Sequence, residues 1–71
     1  MGFAPVKNGN LYITSDSNDT KSVAIYNILG KQVLTANVND APVNVSNLSA
    51  GVYIVKITEA GKTATKKLVI Q

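Results

Sequence analysis

Residues Val52 to Thr58, which read VYIVKIT, carry the strongest strand signal in the chain. Almost every residue in this segment is β-branched or aromatic, and both of its alternating faces are largely apolar, which is typical of a central strand. A turn at Ala60-Gly61 follows, and then a second strand-like run from Lys62 to Ile70. The stretch from Leu48 to Gln71 is therefore predicted to form a β-hairpin, and we expect its final strand to lie at an accessible edge.

Four shorter strand-like runs precede this hairpin, separated by turns rich in Gly, Pro, Asn and Asp: residues 11–15, 21–27, 31–38 and 43–46. No segment shows a sustained period of 3.6 residues, so no helix is expected. Six to seven short, mainly antiparallel strands indicate a small all-β sandwich or barrel, and we favour the sandwich. Its predicted core comprises Ile13, Val23, Ile25, Leu29, Val33, Tyr53, Val55, Ile57 and Leu68.

Several turn and plug positions can also be assigned. Gly30 is expected to take the left-handed conformation in the first hairpin, between the runs 21–27 and 31–38, with Leu29 tucked beneath the turn. Leu48 is expected to act as an apolar plug before the long strand. Tyr53 is expected to lie in the core with its hydroxyl at a polar rim.

The composition argues against catalysis. The 71 residues form a single domain without Cys or His, so there is no disulfide framework, thiolate metal site, thiol nucleophile or imidazole base. The remaining carboxylates lie in turn-like loops, and nothing places a nucleophile beside a base. We expect no enzyme activity, no catalytic or metal-binding residues and no cofactor.

The acidic segment Asp16 to Thr20 has one alternative interpretation, a calcium site, since it offers hard oxygen ligands. No Gly follows at the sharp turn position, and Asn27 stands where an EF-hand loop would have its bidentate Glu. Turn chemistry, in which Asp and Asn bond their own backbone, is the favoured interpretation.

The net charge of +3 is concentrated in the final hairpin. Positive and negative side chains balance over residues 1–51, whereas the last twenty residues have four lysines and only Glu59. A basic segment without Arg, and with Tyr53 as its single aromatic residue, is a weak signal for nucleic acid, and we expect no such partner.

The first ten residues are interpreted as a leading loop, with Met1-Gly2 as an expression remnant. They lack the apolar region of a signal peptide, and the chain as a whole shows no transmembrane segment. We expect a monomer.

Three stretches together carry a family resemblance: Val23 to Val33 (VAIYNILGKQV), Leu48 to Ile57 (LSAGVYIVKI) and Lys66 to Ile70 (KKLVI). In order and spacing they resemble the type A C-terminal sorting domain of the type IX secretion system of Bacteroidota. The similarity covers nearly the whole chain. It departs at the N-terminus, where members often have a Pro-Asn-Pro-like start and this chain has only Pro5, so the cleavage junction is not placed.

The resemblance implies an immunoglobulin-like sandwich at the C-terminus of a larger secreted protein, with residues 1–71 as one sorting domain. An N-terminal passenger protein, an outer-membrane receptor or translocon, and a sortase-like peptidase that removes the domain would be its partners. The protein would cross the periplasm in transit and end at the outer membrane, on the cell surface or outside the cell.

The resemblance also points to positions for recognition. One such position is Gly30, in the first hairpin, between the runs 21–27 and 31–38. The partner-binding residues that the resemblance implies are Gly51, Tyr53, Lys66, Lys67, Leu68, Val69, Ile70 and Gln71. The two glycines also fit a purely backbone role, and the lysines also fit a role in guarding an edge strand against aggregation. An unpaired edge is equally a platform for an added strand from a partner, so the two roles of the lysines are compatible.

An alternative function is an immunoglobulin-like accessory module that binds a polysaccharide or another protein. Carbohydrate platforms usually present exposed aromatic side chains, and this chain offers Phe3, Tyr12, Tyr26 and Tyr53. Binding that depends on Tyr12 would favour this alternative.

Overall fold

The computed structural model describes residues 2–3, 6, 8–14, 19–39 and 41–71, and of residues 2, 3 and 14 it describes the backbone alone. This part of the chain is all-β and contains eight strands. Their bounds are β1 Gly2–Phe3, β2 Asn10–Leu11, β3 Ile13–Thr14, β4 Lys21–Asn27, β5 Gln32–Val38, β6 Val43–Asn44, β7 Gly51–Glu59 and β8 Lys62–Ile70. The all-β prediction is confirmed.

The four long strands form one antiparallel sheet in the order β5-β4-β7-β8. Strand β7 lies between β4 and β8, as its apolar character on both faces predicts, and β8 lies at the edge. The Ala60-Gly61 turn joins β7 to β8 with both residues at positive φ, 50° and 80°. Such a turn matches the twist of the two strands and fixes their register.

The second layer, or cover layer, consists of two short antiparallel ladders, β1 with β3 and β2 with β6. Leu11 of β2, Val43 of β6 and the following Val45 are buried, and they share one core cluster with the inner face of the main sheet. The sheet contributes Val23, Ile25, Tyr53, Val55, Ile57 and Leu68 to that cluster. Two layers closing on one apolar interior make the small sandwich that the sequence predicts.

The prediction of the core is wrong at two residues, Leu29 and Val33. Leu29 is 88% exposed at the β4–β5 turn, and Val33 is 37% exposed. The register of the β4–β5 pair shifts between Ile25 and Tyr26, so Val33 is an extra residue at a β-bulge and Leu34 takes the inward position opposite Ile25. Since Val33 and Leu34 are both apolar, alternation alone does not show which of them points inward.

The cover layer differs from the prediction in detail. The single strand predicted over residues 11–15 is divided at Tyr12, with Leu11 fully buried and Ile13 only partly buried against the core. Leu48 is half-buried against the same core, which confirms its role as a plug. Val43 and Val45 were missing from the predicted core because the run that contains them is short and follows Pro42.

Two residues of the leading segment form a strand, where the sequence predicts a loop. Gly2 and Phe3, within the residues expected to form it, pair with Thr14 and Ile13 as a two-residue ladder. A glycine has no side chain with which to show strand alternation, so this pairing leaves no pattern in the sequence. Three residues of the acidic segment considered for calcium, 16–18, lie outside the described part of the chain.

A buried ion pair closes one end of the main sheet. Lys21 and Glu59 are register partners on β4 and β7, and Lys21 Nζ lies 3.0 Å from Glu59 Oε2. The ammonium also donates a hydrogen bond to the carbonyl oxygen of Asp19 at 3.0 Å.

Within the described ranges, no helix is long and apolar enough to cross a membrane.

Candidate docking edge

Strand β8 presents an unpaired edge. Within the part of the chain that the structure describes, β8 pairs with β7 alone, through nine register pairs from Gly51 with Ile70 to Glu59 with Lys62. In such a ladder alternate backbone groups of the edge strand point away from its neighbour. The expectation that the final strand lies at an edge is confirmed, and this edge offers backbone donors and acceptors to another strand.

Lys66 and Lys67 lie on opposite faces of β8, and both are exposed. Lys66 is opposite Val55 on the inner face, and Lys67 is opposite Ile54 on the outer face. Neither lysine has an ion-pair partner among the described residues. The edge is therefore positively charged on both of its faces, and neither charge is neutralised within the described chain.

Two of the residues implied by the resemblance anchor the strand from inside. Leu68 is buried and is the register partner of Tyr53, which is also buried. The Tyr53 hydroxyl donates a 2.7 Å hydrogen bond to the carbonyl oxygen of Ser49, four residues earlier. This is the contact to a polar rim that the sequence predicts, and similar tyrosine-to-backbone contacts occur in Greek-key sandwiches.

The other implied residues lie at the end of the same hairpin. Gly51 is exposed, has a φ of 155° and is paired with the half-buried Ile70. Val69 and Gln71 are exposed. The structure thus places the eight residues at one end of the β7–β8 hairpin, with Gly51 and Tyr53 on the inner strand and the others on or just after the edge strand. They fall into two groups, one exposed and one that holds β8 on the core.

A groove of 570 Å³ runs beside the last part of β8. The described residues that line its β8 side are Lys67, Leu68, Val69 and Gln71. Those that line its other side, in the N-terminal segment, are Val6, Asn8 and Gly9. The groove gives the edge a second wall, so that an extended segment placed there would contact both the β8 side and the N-terminal side.

The N-terminal wall was missed by reasoning from the sequence. Asn8 and Gly9 have positive φ values of 54° and 77°, and the Gly9 carbonyl accepts a 2.8 Å hydrogen bond from Val45 N. A Cβ on Gly9 would lie 2.9 Å from the Ser46 Cβ, so the backbone passes close to the cover layer. The Asn-Gly dipeptide was the available signal, because it marks a turn that can direct the chain back along the sheet.

The aromatic side chains do not form a common platform. Tyr12 is exposed on the cover layer, whereas Tyr26 is half-buried on the main sheet and Tyr53 is buried in the core. The Phe3 side chain lies outside the described part of the chain. Among the described residues, no three Asp or Glu side chains come together where they could hold a metal ion.

Comparisons with known proteins identify the family of this chain. The family described as the secretion system C-terminal sorting domain matches residues 4–71. Beta-agarase D of Zobellia galactanivorans is 39% identical to this chain over 54 residues. That alignment covers 75% of the chain but 11% of the agarase, so the chain corresponds to a small part of this relative. With a match over nearly its whole length, the chain belongs to the family of secretion system C-terminal sorting domains, the type IX family that its sequence resembles.

Proposed function

We propose that this domain directs an N-terminal passenger protein across the outer membrane by presenting the edge of β8 to an outer-membrane component of the type IX machinery. Its family is one of C-terminal sorting signals, not of enzymes, and such signals send their proteins to the cell surface or the extracellular space. On this proposal the domain is a folded sorting signal that crosses the periplasm attached to its passenger. The passenger supplies the activity of the whole protein.

The free edge of β8 is the observation that carries the proposal. A partner strand laid along it would gain main-chain hydrogen bonds, which supply affinity, while side-chain contacts supply specificity. Lys66 and Lys67 add attraction to an acidic partner surface and raise the rate of encounter. The groove between β8 and the N-terminal segment would hold the added strand from its other side.

Removal of the domain by a sortase-like peptidase is the second part of the proposal. The hydrogen bond from Val45 to Gly9 ties the chain to the cover layer. A cut before β1 would release the passenger and leave every described strand of the sandwich in place. Backbone that is already bonded within the sandwich is a poorer substrate, since a peptidase needs an extended segment.

The test is a fusion of residues 1–71 to the C-terminus of a reporter protein in a Bacteroidota cell with an active type IX system. The fusion is expected to release reporter into the medium at a size that lacks the domain, while reporter without the domain stays inside the cell. Truncation before Lys66 is expected to abolish release. Equal release with and without residues 1–71 would overturn the proposal, and release of uncut fusion would overturn its peptidase step alone.

A further inference from the structure

The exposed apolar side chains of this domain cluster on one surface. Among the described residues, seven large hydrophobic side chains are exposed, and Tyr12 is the single one on the cover layer. The other six define what we call the outer apolar surface: Ile28, Leu29, Val33, Val52, Ile54 and Val69. Exposed patches of this kind on small soluble domains mark interaction sites, whereas single scattered residues carry no such meaning.

The sheet register places these residues side by side. Val52 is opposite Val69, and Ile54 is opposite Tyr26, which in turn is opposite Gln32, the neighbour of Val33. Asn27, the last residue of β4, leads directly into Ile28 and Leu29 at the same end of the sheet. The surface therefore combines one end of the outer sheet face with the hairpin tip that follows β4.

The tip is held by its own hydrogen bonds. Asn27 Oδ1 accepts hydrogen bonds from Leu29 N at 2.9 Å and from Lys31 N at 3.0 Å. The backbone of Asn27 donates to the Lys31 carbonyl at 2.9 Å and accepts from Gly30 N at 3.0 Å. Ile28 and Leu29, which are 77% and 88% exposed, are thus presented by an ordered turn. Preorganised apolar anchors bind with little further loss of conformational entropy.

The charged side chains that the structure describes around this surface are all positive. Lys56 and Lys67 lie on the outer face, Lys31 follows the tip, and alternation along the four strands places no described carboxylate on that face. Like charges would oppose the stacking of two copies of the chain through this face. A partner with carboxylates around an apolar centre is complementary to it.

Continuity with the β8 edge favours a protein partner over a lipid surface. Val69 of the outer apolar surface, and Lys67 on the same face, belong to the strand whose edge is offered to a partner strand. A protein that adds a strand to β8 would therefore lie beside the outer apolar surface as well.

We propose that the outer apolar surface is a second docking site, which fits an apolar, carboxylate-rimmed patch on a protein of the export machinery. The inference rests on the proposed sorting function and extends it, since Lys67 and Val69 join this surface to the β8 edge. A partner strand on the edge and a partner pocket on the outer face would together hold the hairpin end of the sandwich.

The experiment compares three versions of the reporter fusion: the unaltered chain, the double substitution Ile28→Ser with Leu29→Ser, and Tyr12→Ser as the matched control. The tip variant is expected to lower reporter release by about tenfold or more, as the loss of an interface anchor does, with Tyr12→Ser close to the unaltered chain. The purified tip variant should unfold at an unchanged temperature, because neither side chain is packed. A photoreactive amino acid at position 29 should form a covalent adduct with an outer-membrane type IX protein, and one at position 12 should not.

The outcomes separate the inference from the sorting function. If deletion of residues 1–71 abolishes release but the tip variant is released normally, the second docking site is wrong and the sorting function stands. If deletion has no effect, both are wrong. Flotation of the purified chain with phosphatidylglycerol vesicles, lost in the tip variant, would overturn the protein partner in favour of an anionic membrane.

Discussion

Val55 and Lys66 are register partners on the same face of the main sheet, yet Val55 is fully buried and Lys66 is exposed. The second layer covers the central strand but leaves this part of the edge strand open. Strand β8 is therefore held by its pairing with β7 and by Leu68, while Lys66 and Lys67 project from its two faces. This arrangement lets one strand be part of the fold and remain available to a partner.

Leu68 is predicted to be the main anchor of β8. It is 3% exposed, and its truncation would leave a cavity beside Tyr53. Leu68→Ala should lower the free energy of unfolding by about 2–4 kcal/mol, a large share of the stability of a domain this small. The matched control is Val69→Ala on the exposed side of the same strand, which should change it by less than about 1 kcal/mol. Thermal or urea unfolding monitored by circular dichroism measures both, and equal effects would contradict the anchoring role.

The Tyr53 hydroxyl is predicted to stabilise the start of β7 through its bond to Ser49. Tyr53→Phe keeps the ring in the core but removes the 2.7 Å hydrogen bond, and should lower the free energy of unfolding by about 1 kcal/mol. Tyr12→Phe removes the same atom from an exposed ring and should leave stability unchanged. Equal melting temperatures for the Tyr53 variant and the unaltered chain would show that the bond contributes nothing net.

The fold is predicted to tolerate replacement of both Lys21 and Glu59 better than replacement of Glu59 alone. Glu59→Gln leaves a buried ammonium opposite a neutral amide and should lower the free energy of unfolding by about 1–3 kcal/mol. Replacing both residues with Leu removes both desolvated charges and should restore much of that loss. A double variant less stable than Glu59→Gln would contradict this account.

Gly30 is predicted to be required for its backbone conformation alone. Its φ is 83°, and a Cβ built there meets nothing within 4 Å. Gly30→Ala should therefore lower the free energy of unfolding by about 1–2 kcal/mol without any steric clash, and Gly30→Asn by less, since Asn tolerates the left-handed region. Chemical denaturation of the three proteins checks the order, and Ala at least as stable as Asn would contradict it.

The long strands could be predicted from the sequence because local alternation and turn chemistry decide them. The segments 21–27 and 62–70 match the structure in both bounds, and Val52 to Thr58 is extended by one residue at each end. The central position of β7 and the edge position of β8 also follow from how apolar their two faces are. These features depend on neighbouring residues and not on distant pairing.

The features that the sequence does not predict depend on the pairing of residues that are distant in the chain. The alternation of apolar and polar residues within one strand does not determine that pairing. Val33 is expected in the core, but the pairing of Ile25 with Leu34 turns Leu34 inward and leaves Val33 as the extra residue of a β-bulge. Leu29 is apolar, so the sequence places it in the core, whereas the turn fixed by Asn27 holds it outside. The groove wall at Gly9 arises from close approach to Ser46, 37 positions away. The local Asn8-Gly9 dipeptide indicates a turn but not this distant neighbour.

The central claim, docking through the edge of β8, is tested most directly by reversing its charges one at a time. Lys66→Glu, Lys67→Glu and the control Lys62→Glu change the net charge equally, and all three lysines are exposed on the same strand. Reporter release by the fusion should fall by about tenfold or more for Lys66→Glu and Lys67→Glu, while Lys62→Glu stays near the unaltered level. Full release from both edge variants, at unchanged melting temperature, would contradict the account.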